Sequence, residues 1–426
     1  MIFSFLFYLI YHSLLTIAYP FIWLLALKNE KLHESQVGQS EIFSKLQTFR
    51  SKITDDTKPI VWLHAASAGE FEQIKPLLEA FSLRDVYIYQ TFTSGTIYYK
   101  AFRDPRFHGV SFLPWDFPWR VSRFINILKP KYFINTRHDL WPNILYVLNR
   151  KKIPSILINA NLYKSSMRLK PWFKPFNAVL FNQISHLFTV SSDVAELIQK
   201  LYTKEIMITG DTRFDQVINR AEHNEMVFLG DDVVKNRPII IYGSVIETDL
   251  EIISHAISKL DSYDAYFHVI VPHEVSERDI VPIEVELYRL KLASFRKTEL
   301  HLYHDESILI WNSVGELADL YKFATLAYIG AGFSTGVHSV AEPSVYCVPS
   351  AHGPHYDLLA EAIELIDLGI STLIRKSDDL TDFIRLIASP ELIDFKKNDL
   401  KKYVSERKGA TQKILKALNL YSLLIF

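Results

Sequence analysis

Six stretches of the 426-residue chain combine titratable, hydroxyl and small residues in ways that suit chemistry on a charged substrate. Trp62-Leu63-His64-Ala65-Ala66-Ser67-Ala68-Gly69-Glu70 ends a strand-like run in small residues, and Gly69 and Glu70 open a helical pattern. Small residues let another molecule approach the backbone, and the free N–H groups of a helix start favour an anion. Glu70 is either a first-turn acid complementing the helix dipole or a general base; His64 reads as a core histidine at the strand end. Thr136-Arg137-His138-Asp139 follows another strand pattern, with Asp139 an N-cap or a site carboxylate. Gly243-Ser244, His273 and the loop from Gly330 to Glu342 also follow strand patterns, the last with Gly332, Gly336, His338, Ser339 and Glu342. Its glycines bring N–H groups near phosphate oxygens, and a helix expected to begin near His338 adds its dipole. The loop has neither the Lys-Ser/Thr ending of a P-loop nor GxGxxG spacing. Lys164–Lys174 interleaves basic and aromatic residues, as a lipid-headgroup surface or a single-stranded nucleic acid site would.

The elements that position these residues follow from periodicity. β-branched runs such as Ile60–His64, Val86–Thr91, Tyr132–Asn135 and Ser155–Asn159 alternate with amphipathic stretches such as Glu70–Phe81, Pro118–Leu128 and Trp141–Lys151. The rhythm pauses over residues 215–237 and resumes with Ile239–Tyr242, Phe267–Val271, Ile308–Trp311 and Leu326–Ile329. It implies α/β architecture with two doubly wound parallel sheets. The expected domains are residues 28–214 and 238–390, a linker over 215–237, and C-terminal helices over 391–426 that pack back on the first domain. In open α/β sheets ligands bind beyond the carboxyl ends of the strands, which is where the six stretches fall.

Residues 1–27 contain no Asp, Glu, Lys or Arg, and as a helix would reach about 40 Å, enough to span a bilayer. A retained membrane anchor, spanning or interfacial, is expected; Pro20 would kink it. Residues 28–205 carry 25 basic and 15 acidic side chains, a net of +10; residues 206–426 carry 22 and 33, a net of −11. A basic half suits an anionic ligand or membrane. The single Cys347 excludes an internal disulfide and a cysteine-built zinc site.

Taken in order, WLHAASAGE, LWPN at 140–143, GDTRFD at 210–215, GS at 243–244, GEL at 315–317, the Gly-rich loop with His338 and Glu342-Pro343, and GPH at 353–355 resemble the 3-deoxy-D-manno-octulosonic acid (Kdo) transferases of lipopolysaccharide synthesis. The resemblance implies a GT-B glycosyltransferase, with two Rossmann-like domains facing across a cleft. It implies transfer of Kdo from CMP-Kdo to the lipid A precursor lipid IVA, with inversion, at the cytoplasmic face of the bacterial inner membrane. Neither a metal nor a cofactor is implied, and no nucleic acid partner. Glu70 is the implied catalytic base. Ser67, Ala68, Gly69, Arg137, Asp139 and Asn161 would meet the acceptor. Ser244, His273, Gly315, Glu316, Leu317, Gly332, Gly336, His338, Ser339 and Glu342 would meet the nucleotide sugar. Four departures stand out: Arg137-His138-Asp139 for Glu-Thr-Glu, Asn159-Ala160-Asn161 for Asn-Ala-Arg, Val245-Ile246 for Thr-His, and Ser339 for Asn. They leave room for a different sugar or acceptor, or for a non-catalytic paralogue.

Overall fold

A computed structural model describes residues 2–27, 30–137, 139–223 and 231–420. The chain forms two compact units, residues 1–216 with 409–426 and residues 217–408.

The first unit is a seven-stranded sheet in which every pairing is parallel. Its strands are β1 (Ile60–Ala65), β2 (Tyr87–Phe92), β3 (Gly109–Phe112), β4 (Tyr132–Thr136), β5 (Ser155–Ala160), β6 (His186–Thr189) and β7 (Ile206–Ile208). The order is β3-β2-β1-β4-β5-β6-β7. β1, β4 and β5 are buried along their whole length, as expected for central parallel strands with helices on both faces. The chain moves outward from β1 to β3, then crosses back to start β4 beside β1. The loops after β1 and β4 therefore flank the switch point, where a Rossmann-type sheet leaves its crevice.

The second unit repeats this logic with β8 (Ile239–Val245), β9 (Phe267–Pro272), β10 (Ser294–Arg296), β11 (Ile308–Ile310), β12 (Leu326–Ile329), β13 (Ser350–His352) and β14 (Thr372–Leu373), ordered β10-β11-β9-β8-β12-β13-β14. β8 and β12 are neighbours, so its switch point lies between the loops after Val245 and Ile329. The three-residue strands β10 and β13 carry no apolar run. β13 lies in Pro349-Ser350-Ala351-His352-Gly353, whose composition reads as a turn.

The stretch expected to be a linker is largely helical where described: the helix Thr212–His223 runs across the division, and Asp231–Val234 forms a further turn. Of the C-terminal helices, Pro390–Arg407 belongs to the second unit and Ala410–Leu420 to the first. Asp215 joins these ends by accepting the Gly409 and Thr411 N–H groups at 2.7 and 2.6 Å.

The amino-terminal segment is a helix, α1 (Ile2–Ala26), followed by α2 (Glu30–Lys52). Among the described residues, no helix is long and apolar enough to cross a membrane. α1 instead lies against the first unit with Tyr8, Tyr11 and His12 turned inward. Tyr8 donates to Pro142 O at 3.2 Å, Tyr11 to Asp116 Oδ2 at 2.8 Å, and His12 Nε2 lies 2.7 Å from Asn143 Oδ1. Tyr19 packs edge-on against Trp115 and Phe117. Leu6, Leu9, Ile10, Leu14, Ile17 and Phe21 are exposed. Phe7 meets Phe176, just beyond the basic-aromatic stretch in which Met167, Trp172 and Phe173 are exposed.

Candidate active site

In the first unit, the site is built by a helix start. Helix α3 (Ala68–Ser82) begins where β1 ends, and Ser67 is its N-cap. Ser67 Oγ accepts the Glu70 N–H, and the Glu70 carboxylate reaches back, closing a capping box. Glu70 Oε2 accepts the N–H groups of Ala66 at 2.7 Å and Ser67 at 3.2 Å, while Oε1 has no partner among the described residues. Glu70 is thus both the first-turn acid and an oriented carboxylate with one oxygen to spare. Burial pushes its proton affinity above that of an ordinary carboxyl, and the nearby Asp139 charge adds to this. The Ala66 N–H, His64 and Arg137 act in the opposite direction.

Asp139 lies in the loop after β4. Its Oδ2 accepts from His64 Nε2 at 2.8 Å and from Trp141 Nε1 at 2.9 Å, and its carbonyl oxygen accepts from Asn135 Nδ2. His64 is 1% exposed, and its Nδ1 lies 3.0 Å from Thr91 Oγ1 and 3.1 Å from Thr91 O. The ring expected to be a core histidine therefore ties the two switch-point loops together. Nothing local in the sequence signals this, because Asp139 lies 75 residues further along the chain.

Arg137 is held with φ 62° and its N–H on Ile158 O. Two more arginines border the carboxylates. Arg168 interacts electrostatically with Asp139, and an Arg213 guanidinium nitrogen would lie 3.9 Å from a Cβ at Gly69. Arg213 is brought in because Asn159, Gln73 and Thr212 lock residues 210–215 onto β5 and α3: Thr212 Oγ1 donates to Gln73 O at 2.6 Å, and Gln73 Nε2 to Asp211 at 2.8 Å. Asn161, expected to meet the acceptor, follows β5 and is half-buried. His138 lies outside the described residues.

In the second unit, Asp249 organises the site, a role that its place in a helix's first turn did not reveal. It is fully buried, with Oδ2 accepting the Ile246 and Ala331 N–H groups at 3.0 and 2.8 Å and Oδ1 the Tyr328 hydroxyl at 2.9 Å. One carboxylate thereby clamps the loop after β8 to the loop after β12. A Cβ on Gly332 would stand 2.5 Å from Gly353 N, so only glycine allows these two chain segments to touch. The helix expected near His338 starts later, at Ala341, and lasts five residues to Val345, with Glu342 in its first turn. The reason is that the intervening loop bonds to itself: the Gly336, Val337 and His338 N–H groups go to Ala331 O, His355 O and Gly330 O. His273 and His338 stack with centroids 4.5 Å apart and planes 14° apart. Burial, aided by His273, lowers His338 to about 4. Ser339 Oγ is buried with no partner among the described residues.

Gly315, Glu316 and Leu317 are carried to the same end of the sheet. A Cβ on Gly243 would meet Leu317 Cδ1 at 3.0 Å. Gly315 O accepts from Arg220, and Glu316 Oε2 from Lys297 at 2.5 Å and Trp311 Nε1 at 2.8 Å. The Glu316 carboxylate is thus occupied. Among the described residues, no group of three or more His, Cys, Asp or Glu side chains is placed to hold a metal ion.

Residues 40–216 match the sequence model of the 3-deoxy-D-manno-octulosonic-acid transferase family (kdotransferase). Over that stretch the chain is similar to the Kdo transferase family. A 3-deoxy-D-manno-octulosonic acid transferase of Haemophilus influenzae is 27% identical, over 85% of this chain and 87% of that one. One of Bordetella pertussis is 23% identical, over 94% and 96%. In three dimensions the chain resembles a UDP-GlcNAc 2-epimerase from Neisseria meningitidis, with a TM-score of 0.59 and 14% identity over 84% of this chain and 99% of that one. That likeness shows the GT-B fold class, two Rossmann-like units in succession.

Proposed function

We propose that the protein transfers Kdo from CMP-Kdo to the lipid A precursor lipid IVA, with inversion and without a metal ion. The observation that carries this reading is Glu70: a buried carboxylate with one oxygen fixed on two backbone N–H groups and the other unengaged. In the proposed step an acceptor hydroxyl gives its proton to Glu70 Oε1, and its oxygen forms a bond to the anomeric carbon of Kdo. The bond from that carbon to the phosphate oxygen breaks, and CMP leaves with the electron pair. Ser67, Ala68, Gly69, Arg137, Asp139 and Asn161 are assigned to the acceptor, whose phosphates suit Arg137, Arg168 and Arg213. Ser244, His273, His338 and Ser339 are assigned to the CMP phosphate, with Gly332 and Gly336 shaping the loop. Glu342 is assigned to the ribose. Gly315, Glu316 and Leu317 are assigned to the cytosine through their main chain, because the Glu316 carboxylate is engaged elsewhere.

We place the enzyme at the cytoplasmic face of the inner membrane. The inward polar and outward aliphatic faces of α1, continued by exposed Trp172 and Phe173, favour a helix lying in the interface over one that crosses it. The deciding experiment incubates the full chain with CMP-Kdo and lipid IVA and reads the lipid by mass spectrometry. A product heavier by one or more Kdo units supports the reading; unchanged lipid with intact CMP-Kdo refutes it.

A further inference from the structure

Glu70, His64 and Asp139 come from three segments, yet the hydrogen bonds leave little freedom in how they meet. His64 is braced at Nδ1 by Thr91 on β2, and Thr91 Oγ1 is itself fixed by Trp62 Nε1 at 2.9 Å. Nε2 then has one direction, toward Asp139 Oδ2. Trp141 donates to the same oxygen and Asn135 to the Asp139 carbonyl, so both ends of that residue are held. Such bracing exceeds what an N-cap requires; Asp139 does not cap the following helix, whose first residues are Pro142 and Asn143.

We propose that His64 and Asp139 are a positioning pair for the catalytic carboxylate: His64, braced on Thr91, fixes the Asp139 carboxylate at the end of β4, next to the strand β1 that leads into Glu70. The proposal rests on the reading of Glu70 as the base. The two members act in opposite senses. Asp139 is a like charge that favours the protonated form of Glu70, and His64 favours the ionised form. The other charged groups around the pair are Arg137 in the same loop as Asp139, Arg168 facing Asp139, and Arg213 beside Gly69. All three are permanent cations and stay charged across the working pH range.

The test is the pH profile of kcat/KM for the full chain in detergent with CMP-Kdo and lipid IVA. Asp139→Asn removes the like charge and is expected to move the acid limb to lower pH, by about one unit. His64→Gln keeps a donor but no charge and is expected to move it to higher pH by a comparable amount. A purely structural pair would lower the rate without moving the limb in opposite directions. Profiles that coincide with the wild type, or that both shift the same way, overturn the proposal. Should His64→Gln not fold, Asp139→Asn alone decides by the sign of its shift. If the wild type transfers no Kdo, the functional reading fails separately. The pair is then judged by titrating the Glu70 carboxyl in chains labelled with 13C at glutamate Cδ, its signal being the one lost in Glu70→Gln. Opposite displacements of that titration sustain the positioning role, and unchanged titration refutes it.

Discussion

The Tyr11 hydroxyl donates to Asp116 Oδ2 at 2.8 Å, and this bond ties α1 to the start of the helix Pro142–Arg150. The same carboxylate accepts the Asn143 N–H at 2.9 Å and the Ile144 N–H at 3.0 Å. Burial raises Asp116 from 3.8 to about 7, against the lowering effect of these hydrogen bonds. Because the folded value is the higher one, the folded chain holds this proton more tightly than the unfolded chain does. The resulting stabilisation is fully present below about pH 4 and is lost as the pH rises through about 7. Asp116→Asn is neutral throughout and lacks one acceptor. It is expected to melt below the wild type at pH 5, with the gap narrowing toward pH 8. A gap in Tm that does not change with pH would remove Asp116 from this role.

A helix lying in the interface makes a second prediction. Leu14 and Ile17 are 61% and 62% exposed, and Leu24 is exposed as well, so none contributes to the core. Withdrawing each such side chain into lipid contributes roughly 1.5–3 kcal/mol. Replacing all three by Glu is expected to shift the protein from the membrane pellet to the supernatant on flotation, leaving Tm in detergent within about 2 °C. Retention on membranes would assign the attachment to the surface around Trp172 and Phe173.

Much of this arrangement was legible in the residues, and the exceptions share a cause. Strand runs such as Leu326–Ile329 and helices such as Pro118–Leu128 coincide with the observed elements because their apolar periodicity is local. β10 and β13 have no such run; they pair because β11 and β12 offer neighbouring edges. The start of the helix after the Gly-rich loop was misplaced by three residues because the loop N–H groups find partners in Gly330, Ala331 and His355, which spacing alone does not reveal. Glu70 was identifiable as a first-turn acid because a capping carboxylate marks a helix start. His64 and Asp249 were not, since their significance lies in bonds to Asp139 and Ala331, 75 and 82 residues away. Likewise the inward polar face of α1 appears only once Asp116 and Asn143 are in place beneath it.

For Glu70, removal of the carboxylate separates catalysis from binding. Glu70→Gln keeps the shape and one acceptor for the Ala66 and Ser67 N–H groups, so α3 is expected to remain capped. Transfer is expected to fall by about 10²–10⁴-fold, the usual span for a general base. CMP affinity, measured by isothermal titration calorimetry, is expected to be unchanged. In the wild type kcat/KM is expected to fall with acidification at a pH above the ordinary carboxylate range, because burial and Asp139 raise Glu70. Turnover by Glu70→Gln at the wild-type rate would assign the base elsewhere.

Ser339 separates a ligand contact from a structural one most cleanly. A buried hydroxyl without a partner is a cost to the free protein, one that a ligand oxygen at the site would relieve. Ser339→Ala removes that cost, so the ligand-free variant is expected to be as stable as the wild type or more so. The same change deprives a bound phosphate of a charge-assisted hydrogen bond, and CMP affinity is expected to fall by about tenfold, corresponding to roughly 1.5 kcal/mol. Thermal melting with and without CMP reads both quantities in one experiment. The expected pattern is an unchanged or raised Tm without nucleotide and a reduced increment with it. A lower Tm without nucleotide, with the increment intact, would make Ser339 part of the loop's own framework and leave the phosphate to His273 and His338, whose stacked rings stand at the same strand ends.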